Sequence, residues 1–200
     1  KDVNRLDFGW SQGVLSYSPA TWLNVQAGHG KHFVGHGYRS VLLSDNAVNT
    51  PYLQFSLLSP NKRWQYTWWY TKLMHGVTDD DRLASGASSE NLFSWMRATF
   101  HHLSVDLGRV QLGLFEATLF RSITDRVASL DGLALNPVIG VNTLAVGFDG
   151  DANALVGLDA RFKVTDRIYI YGQFATDGPN RYAWQAGARA FDVGVRGLDL

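Results

Sequence analysis

The chain has 200 residues, and its 18 Lys and Arg balance 18 Asp and Glu to a formal net charge of zero, so nothing in it recommends nucleic acid, whose binding usually leaves a basic footprint. It has no cysteine, which excludes disulfides and thiolate metal sites. Gly 20, Trp 7, Tyr 8 and Phe 11 at a mean hydropathy of -0.12 suggest strands and turns, and apolar residues alternating with polar ones can hide a membrane protein from hydropathy.

Lys1-Asp2-Val3 lacks the apolar core and cleavage site of a signal peptide. No run approaches the roughly 18 apolar residues of a spanning helix. The chain stops at Gly197-Leu198-Asp199-Leu200, inside what reads as a strand. The expectation is one incomplete domain, residues 1–200, cut at both ends from a longer protein.

In chain order, Phe8 to Ser18 reads as an aromatic and serine-rich lead-in ending at Pro19. Thr21 to Ala27 alternates, with Leu23 and Val25 on one face and Trp22, Asn24 and Gln26 on the other. Then comes Gly28 to Asn46, whose first twelve positions hold four glycines, three histidines, a lysine and an arginine. Tyr52 to Leu58 and Arg63 to Met74 alternate around the turn Pro60-Asn61-Lys62, which reads as a hairpin. Gly76 to Ser89 reads as a solvated loop. Its Asp79-Asp80-Asp81 run lacks the spacing and the distal glutamate of a calcium loop.

From Leu92 to Leu107 the apolar parity changes. Leu92, Met96, Ala98 and Phe100 share one phase, and Leu103, Val105 and Leu107 the other, which predicts a bulge near His101-His102. Gly108-Arg109 turns the chain into a strand running from Val110 to about Phe120. Arg121 to Pro137 has no clear period and reads as a short helix or a folded loop. In the last third, Ala154 to Val164, Ile168 to Phe174 and Tyr182 to Arg189 form three alternating strands, with Thr165-Asp166 as the first turn. The whole reads as an all-β antiparallel meander with one greasy and one polar face.

Strands of roughly 9 to 11 residues with alternating faces suit a transmembrane β-barrel, whereas strands of soluble sandwiches have a mode of roughly 5 to 6. Asp159, Arg161 and Lys163 share one face, and a charge at the bilayer midplane costs on the order of 2 to 4 kcal/mol. That face is therefore expected to line a lumen.

Gly28-His29-Gly30-Lys31-His32-Phe33, Gly37-Tyr38-Arg39-Ser40 and Leu42-Leu43-Ser44-Asp45 resemble the signature of Bacteroidetes outer-membrane proteins of the capsule-assembly (Wzi-like) family, including its gliding-motility branch. Gly113-Leu114-Phe115-Glu116, Leu135-Asn136-Pro137, the segment Asp151 to Asp159 and Tyr171-Gly172-Gln173 are similar to the same family in the same order. His36 stands where such proteins more usually carry an acid, and the family's N-terminal part and final strands have no counterpart in these 200 residues. The resemblance implies part of a large outer-membrane barrel in a Gram-negative bacterium. Its expected partners are membrane lipid and capsular or other surface polysaccharide, attached or organised without cleavage, or else the motility apparatus. The lumen-facing polar set it suggests is His29, Lys31, His36, Arg39, Asp45, Asn136, Asp159, Arg161 and Gln173. No cofactor, nucleic acid or catalytic residue is expected.

Each site has a competing chemistry. His29, His32 and His36 suggest zinc, but their spacing is not that of a helix or a finger, and pairing with carbonyls and lumen carboxylates is preferred. Glu116, Asp149 and Asp159 suggest a hydrolytic carboxylate pair; acids paired with Arg161 or Lys163 are preferred. Trp64, Tyr66, Trp68, Trp69 and Tyr70 suit a membrane interface or stacking on sugars, and the former is preferred. Two other function classes remain: a diffusion porin and a soluble β-sandwich that binds glycans.

Overall fold

The computed structural model describes residues 11–77, 93–120, 132–148 and 152–192. Nine strands follow one another: β1 (Gly13–Ala20), β2 (Leu23–Gly30), β3 (Thr50–Leu58), β4 (Trp64–Val77), β5 (Phe93–Asp106), β6 (Val110–Phe120), β7 (Ala152–Lys163), β8 (Ile168–Gly178) and β9 (Arg181–Ala190). They form one sheet in sequence order, and every neighbouring pair is antiparallel. Within the described residues the sheet is open, with β1 and β9 as its edges.

The connections alternate in length. At one end of the sheet the chain turns tightly at Thr21-Trp22, at residues 59–63, at 107–109 and at 164–167. Local chemistry closes these turns. Asp106 Oδ1 accepts the Gly108 N–H at 2.7 Å, and Gly108 takes the positive φ of 89° that a two-sided turn needs. At the other end lie the long connections, residues 31–49, 78–92 and 121–151, with one short turn at Pro179-Asn180.

Pairing register sorts the side chains. Asp159 stands opposite Gly113 and Gln173, and Gly113 opposite Ser104. This polar face also carries His102, Thr67 and Gln185. Leu158 stands opposite Leu114 and Phe174, and the apolar face continues through Leu103, Tyr66, Leu57 and Trp184. Much of it is open: Leu158 is 56% exposed and Trp184 72%.

Two sequence expectations are corrected here. The lead-in ending at Pro19 is in fact strand β1, running through Pro19 to Ala20. Seven of its eight residues are exposed, so neither face imposes a burial pattern. The bulge expected near His101-His102 is absent, because β5 pairs with β6 without a break from Arg97 to Asp106 and with β4 from Ser94 to Val105. The parity changes because each face changes its surroundings along the strand. Near the long connections Ala98 and Phe100 are buried under a loop on the polar face, and near the tight turns Leu103 and Val105 face outward on the apolar face.

Two excursions supply the cores. Residues 31–49 fold across the polar face, where Val34 and Leu42 join Trp69, Phe100, Phe115 and Ala175. Residues 132–148 hold a 3-10 turn (Gly132–Leu135) and helix α1 (Val141–Val146). They lie against the apolar face, where Ala134, Phe120 and Ala152 form a second cluster with Leu133 and Val146. The fold expected in Arg121 to Pro137 is thus a 3-10 turn from Gly132. Residues 121–131 lie outside the described residues, as do Asp149 and the Asp79–Asp81 run. Helix α1 was not expected, since six residues cannot establish a helical period.

Candidate functional site

The loop 31–49 begins where β2 ends at Gly30. A bridge between Val34 and Leu43, with the Val34 N–H donating to the Leu43 carbonyl at 3.0 Å, closes it into a small hairpin. Ser40 locks the base. Its hydroxyl donates to the Val34 carbonyl and accepts the N–H of Leu42 at 3.0 Å and of Leu43 at 3.3 Å. Val34 and Leu42 then point into the sheet, and Leu42 fills space left by Gly157, where a Cβ would overlap it.

Polar contacts pin the loop's far side to β5, β7 and β8. The His36 Nε2 lies 3.2 Å from Asp159 Oδ2, and the His102 Nε2 3.0 Å from Asp159 Oδ1. Because an ionised carboxylate only accepts, both imidazoles must carry their proton on Nε2 and donate. Asp159 is 3% exposed, with one oxygen given to each ring. Room for this arrangement comes from Gly113, where a Cβ would overlap Asp159 and His102. The Gln173 Oε1 accepts the Val41 N–H at 3.1 Å. Its amide nitrogen lies over Gly35, whose φ of 122° and lack of a Cβ both favour glycine.

His32 is the loop's aromatic anchor. It stacks on Trp69 at 4.8 Å between ring centroids and meets Tyr52 edge-on at 4.3 Å. Burial lowers its pKa from 6.5 to about 4. Between those values the unfolded chain binds a proton that the folded chain refuses, so stability rises with pH across the window. The expected contribution is about 1–2 kcal/mol, reduced from the full shift because water still reaches part of the ring. It is present above pH 6.5 and lost as pH falls toward 4. Urea midpoints at pH 7.5 and 4.5 should separate more for the native protein than for His32→Phe; equal separations would refute the assignment.

On the opposite face the excursion 132–148 is held by a second polar assembly. The Glu116 carboxylate, 1% exposed, accepts the Gly140 N–H at 2.7 Å and the Thr143 N–H at 2.8 Å, as well as the Thr143 hydroxyl. The two amides are free donors of the first turn of α1, and the helix dipole favours an anion there. The Tyr66 hydroxyl donates to the Pro137 carbonyl at 2.6 Å and so accepts from His101 Nδ1 at 2.7 Å. Tyr70 donates to the Leu135 carbonyl at 2.8 Å, and Thr99 to that of Ala134.

Of the nine residues expected to share a lumen site, the structure brings together His36, Asp159 and Gln173, with Arg161 two residues from Asp159 on the same face. The others disperse. His29 contacts the Ser11 carbonyl at the sheet edge through Nδ1, at 2.8 Å. Lys31, Arg39 and Asp45 are exposed, and Arg39 lies over the Tyr38 ring at 5.3 Å. Asn136 belongs to the other face, where its amide donates to the Val138 carbonyl at 2.8 Å and to Asn142 Oδ1 at 3.1 Å.

One expectation about partners is corrected, the pairing of the lumen acid with Arg161 or Lys163, and the geometry also bears on the two chemistries that were not preferred, zinc and a hydrolytic pair. His29, His32 and His36 go to three separate places, and no group of three or more His, Cys, Asp or Glu among the described residues is placed to hold a metal ion. Asp159 pairs with histidines and not with Arg161 or Lys163. Lys163 reaches Asp166 in the turn at 2.8 Å, holding that carboxyl below its usual range, and Arg161 lies over the Tyr169 ring at 5.5 Å. Glu116 and Asp159 are on opposite faces of the sheet, so they cannot flank one glycosidic bond.

His102 is the partner that sequence reading missed. Consecutive histidines in a strand must point to opposite faces, and the alternation would have placed His102 with Ser104 and Asp106 on the polar side. Comparison of the chain with protein-family models, with curated proteins and with solved structures finds no match.

Proposed function

We propose that the chain is an arc of an outer-membrane β-barrel of a Gram-negative bacterium that handles surface polysaccharide, in capsule attachment or assembly or in gliding motility, without cleaving it. The observation that carries the membrane reading is the apolar face where the excursion leaves it open, over β6 to β9 from Leu114 through Leu158, Ile170 and Phe174 to Trp184. Soluble monomers rarely expose apolar patches beyond a few hundred Å². Short connections at one end and long ones at the other are the asymmetry of outer-membrane barrels. No helix among the described residues is long and apolar enough to cross a membrane, and the proposal concerns strands.

The polysaccharide part rests on the resemblance of the Gly28 to Asp45 segment to capsule-assembly proteins. It is supported by the loop tip, where Tyr38 is 77% exposed beneath Arg39. An aromatic face beside a cation suits a sugar ring and an acidic substituent. A non-catalytic role agrees with Asp159 and Glu116, whose oxygens are already occupied by the protein.

The full-length protein should fractionate with outer membranes and migrate as a compact, heat-modifiable band. Tyr38→Ala with Arg39→Ala should cut surface polysaccharide retention several-fold and leave that band unchanged. Recovery in the soluble periplasmic fraction would establish the glycan-binding sandwich instead. A diffusion porin is the second reading, and the loop folded across the polar face argues for a narrowed lumen. Large, steady conductance in planar bilayers would favour the porin.

A further inference from the structure

Three arginines sit over aromatic rings in one sector of the polar face, where the loop tip meets β8 and β9. Arg161 of β7 lies over the Tyr169 ring at 5.5 Å, Arg189 of β9 over the Phe191 ring at 6.0 Å, and Arg39 of the loop over the Tyr38 ring at 5.3 Å. The Tyr169 and Phe191 rings are themselves in contact, with centroids 5.7 Å apart. Register puts Arg189 directly opposite Tyr169, and Arg161 opposite Tyr171, the next residue of β8 on that face. The loop tip reaches the same place. A Cβ on Gly187 would overlap the Tyr171 ring, and one on Gly37 would overlap both that ring and Gln185. The tip therefore comes down on Tyr171, two residues or about 7 Å along β8 from Tyr169.

The acids around this sector are committed elsewhere. Asp159 gives one oxygen to His36 and one to His102, Lys163 holds Asp166, and Asp192 also interacts within the protein. Among the described residues no carboxylate and no hydrogen-bond acceptor takes the guanidinium of Arg161 or of Arg189, and both side chains are half-buried. A ring attracts the charge of an arginine without consuming its N–H donors. Each guanidinium is thus seated, yet keeps the planar fork that matches a carboxylate. On β2 to β4 the same face carries neutral groups that bond to one another, Gln26 with Asn24 and Ser56 with Thr67, so positive charge is gathered at β7 to β9. The touching rings of Tyr169 and Phe191 add apolar surface for the carbon skeleton of a sugar.

We infer that this sector binds the carboxylates of an acidic sugar chain, with the forks of Arg161 and Arg189 taking the charges and the rings of Tyr169 and Phe191 packing on the sugar. The inference rests on the polysaccharide reading above and deepens it. It names a uronate-bearing chain as the class handled, and it extends the contact from Tyr38 and Arg39 at the loop tip along the polar face. A neutral chain would gain nothing from the two guanidiniums, and a small free anion would leave the rings unused.

The test uses the full-length protein in mild detergent, titrated in a calorimeter with hexagalacturonate and with its methyl ester, which has the same sugars without the charge. The acid is expected to bind about tenfold or more tightly than the ester, because charge-assisted bidentate pairs are the strong ones, and millimolar acetate should not displace it. Displacement by acetate would overturn the sugar-chain assignment in favour of a free-anion site. Arg161→Gln with Arg189→Gln should remove the preference. Lys62→Gln with Arg63→Gln, an equal loss of charge in the exposed β3–β4 turn, should keep it; loss in both pairs would mean that net charge selects the acid, and overturns the site. Heat-modifiable migration is recorded for every variant, and Arg189→Gln alone, expected to lower the preference several-fold, serves if the pair does not fold. No binding of the acid, equal binding of acid and ester, or a preference unchanged in a folded Gln variant overturns the carboxylate site. The polysaccharide reading is scored separately, by retention in Tyr38→Ala with Arg39→Ala. No binding of either probe, together with unchanged retention, overturns both.

Discussion

Glu116→Gln is expected to lift the 132–148 excursion off the sheet. The carboxylate now accepts three hydrogen bonds in a buried site, from Gly140 and from the amide and hydroxyl of Thr143. An amide in the same place turns one acceptor into a donor that faces an N–H. A buried donor left unpaired costs about 1–3 kcal/mol, more where the lost partner was charged. Glu116→Ala strands all three donors and is expected to cost about 3–5 kcal/mol, near the upper end for single substitutions. Tyr66, Tyr70 and Thr99 still hold the excursion's carbonyls, so the damage is local.

A cysteine in place of Ala134, which the excursion buries against Phe120 and Ala152 of the sheet, reports this opening. Its maleimide labelling should accelerate about 30-fold in Glu116→Gln, since each 1.4 kcal/mol is a factor of ten in an equilibrium. The sheet should keep its heat-modifiable band. Labelling at the native rate would show that the carboxylate is not what holds the excursion down.

Asp159→Ala is the counterpart on the other face. It leaves two imidazole N–H groups, on His36 and His102, without their acceptor beside a site that is 3% exposed. The expected loss is about 2–4 kcal/mol, and Asp159→Asn should lose less because its one remaining oxygen serves one ring. The loop keeps its apolar anchors, Val34 and Leu42, so it should loosen without leaving the sheet. A double-mutant cycle of Asp159→Ala with His36→Ala isolates the pair. A coupling above about 1 kcal/mol is expected for residues in contact; additive effects would mean that His36 does not latch the loop through Asp159.

Glu116 and Asp159 also show what a linear reading misses. They occur 43 residues apart in neighbouring strands, three positions out of register. Both were legible as acids in strands, and Asp159 was legible on the polar face. Its partners were not. Arg161 and Lys163 share that face, but side chains two and four positions along one strand diverge to their own neighbours, Tyr169 and Asp166. Of the two partners that reach Asp159, His36 comes from a loop 123 positions earlier in the chain and His102 from β5, 57 positions earlier. Nothing local selects them; Gly113 and Gly157 merely leave the space.

β1 and β5 show two different reasons for misreading a strand. β1 is exposed on nearly every residue, so no burial writes a period into it. In β5 the period is written twice, once by the loop over Phe100 and once by the open apolar face at Leu103, and the two halves fall out of phase.

By itself the sequence determined a two-faced antiparallel meander with three of its tight turns in place, at Pro60-Asn61-Lys62, Gly108-Arg109 and Thr165-Asp166, because strand alternation and turn chemistry are local and act within a few residues. It also marked Gly28 to Asn46 as a constrained segment, since glycine, histidine and small polar residues crowd where a loop must pack closely. Only the tertiary structure decided that this loop crosses one face while residues 132–148 cover the other, and that His36, His102 and Asp159 meet. Such contacts join groups far apart in the chain, and their energy depends on burial and on the few donors that happen to reach one carboxylate, quantities that no local pattern encodes.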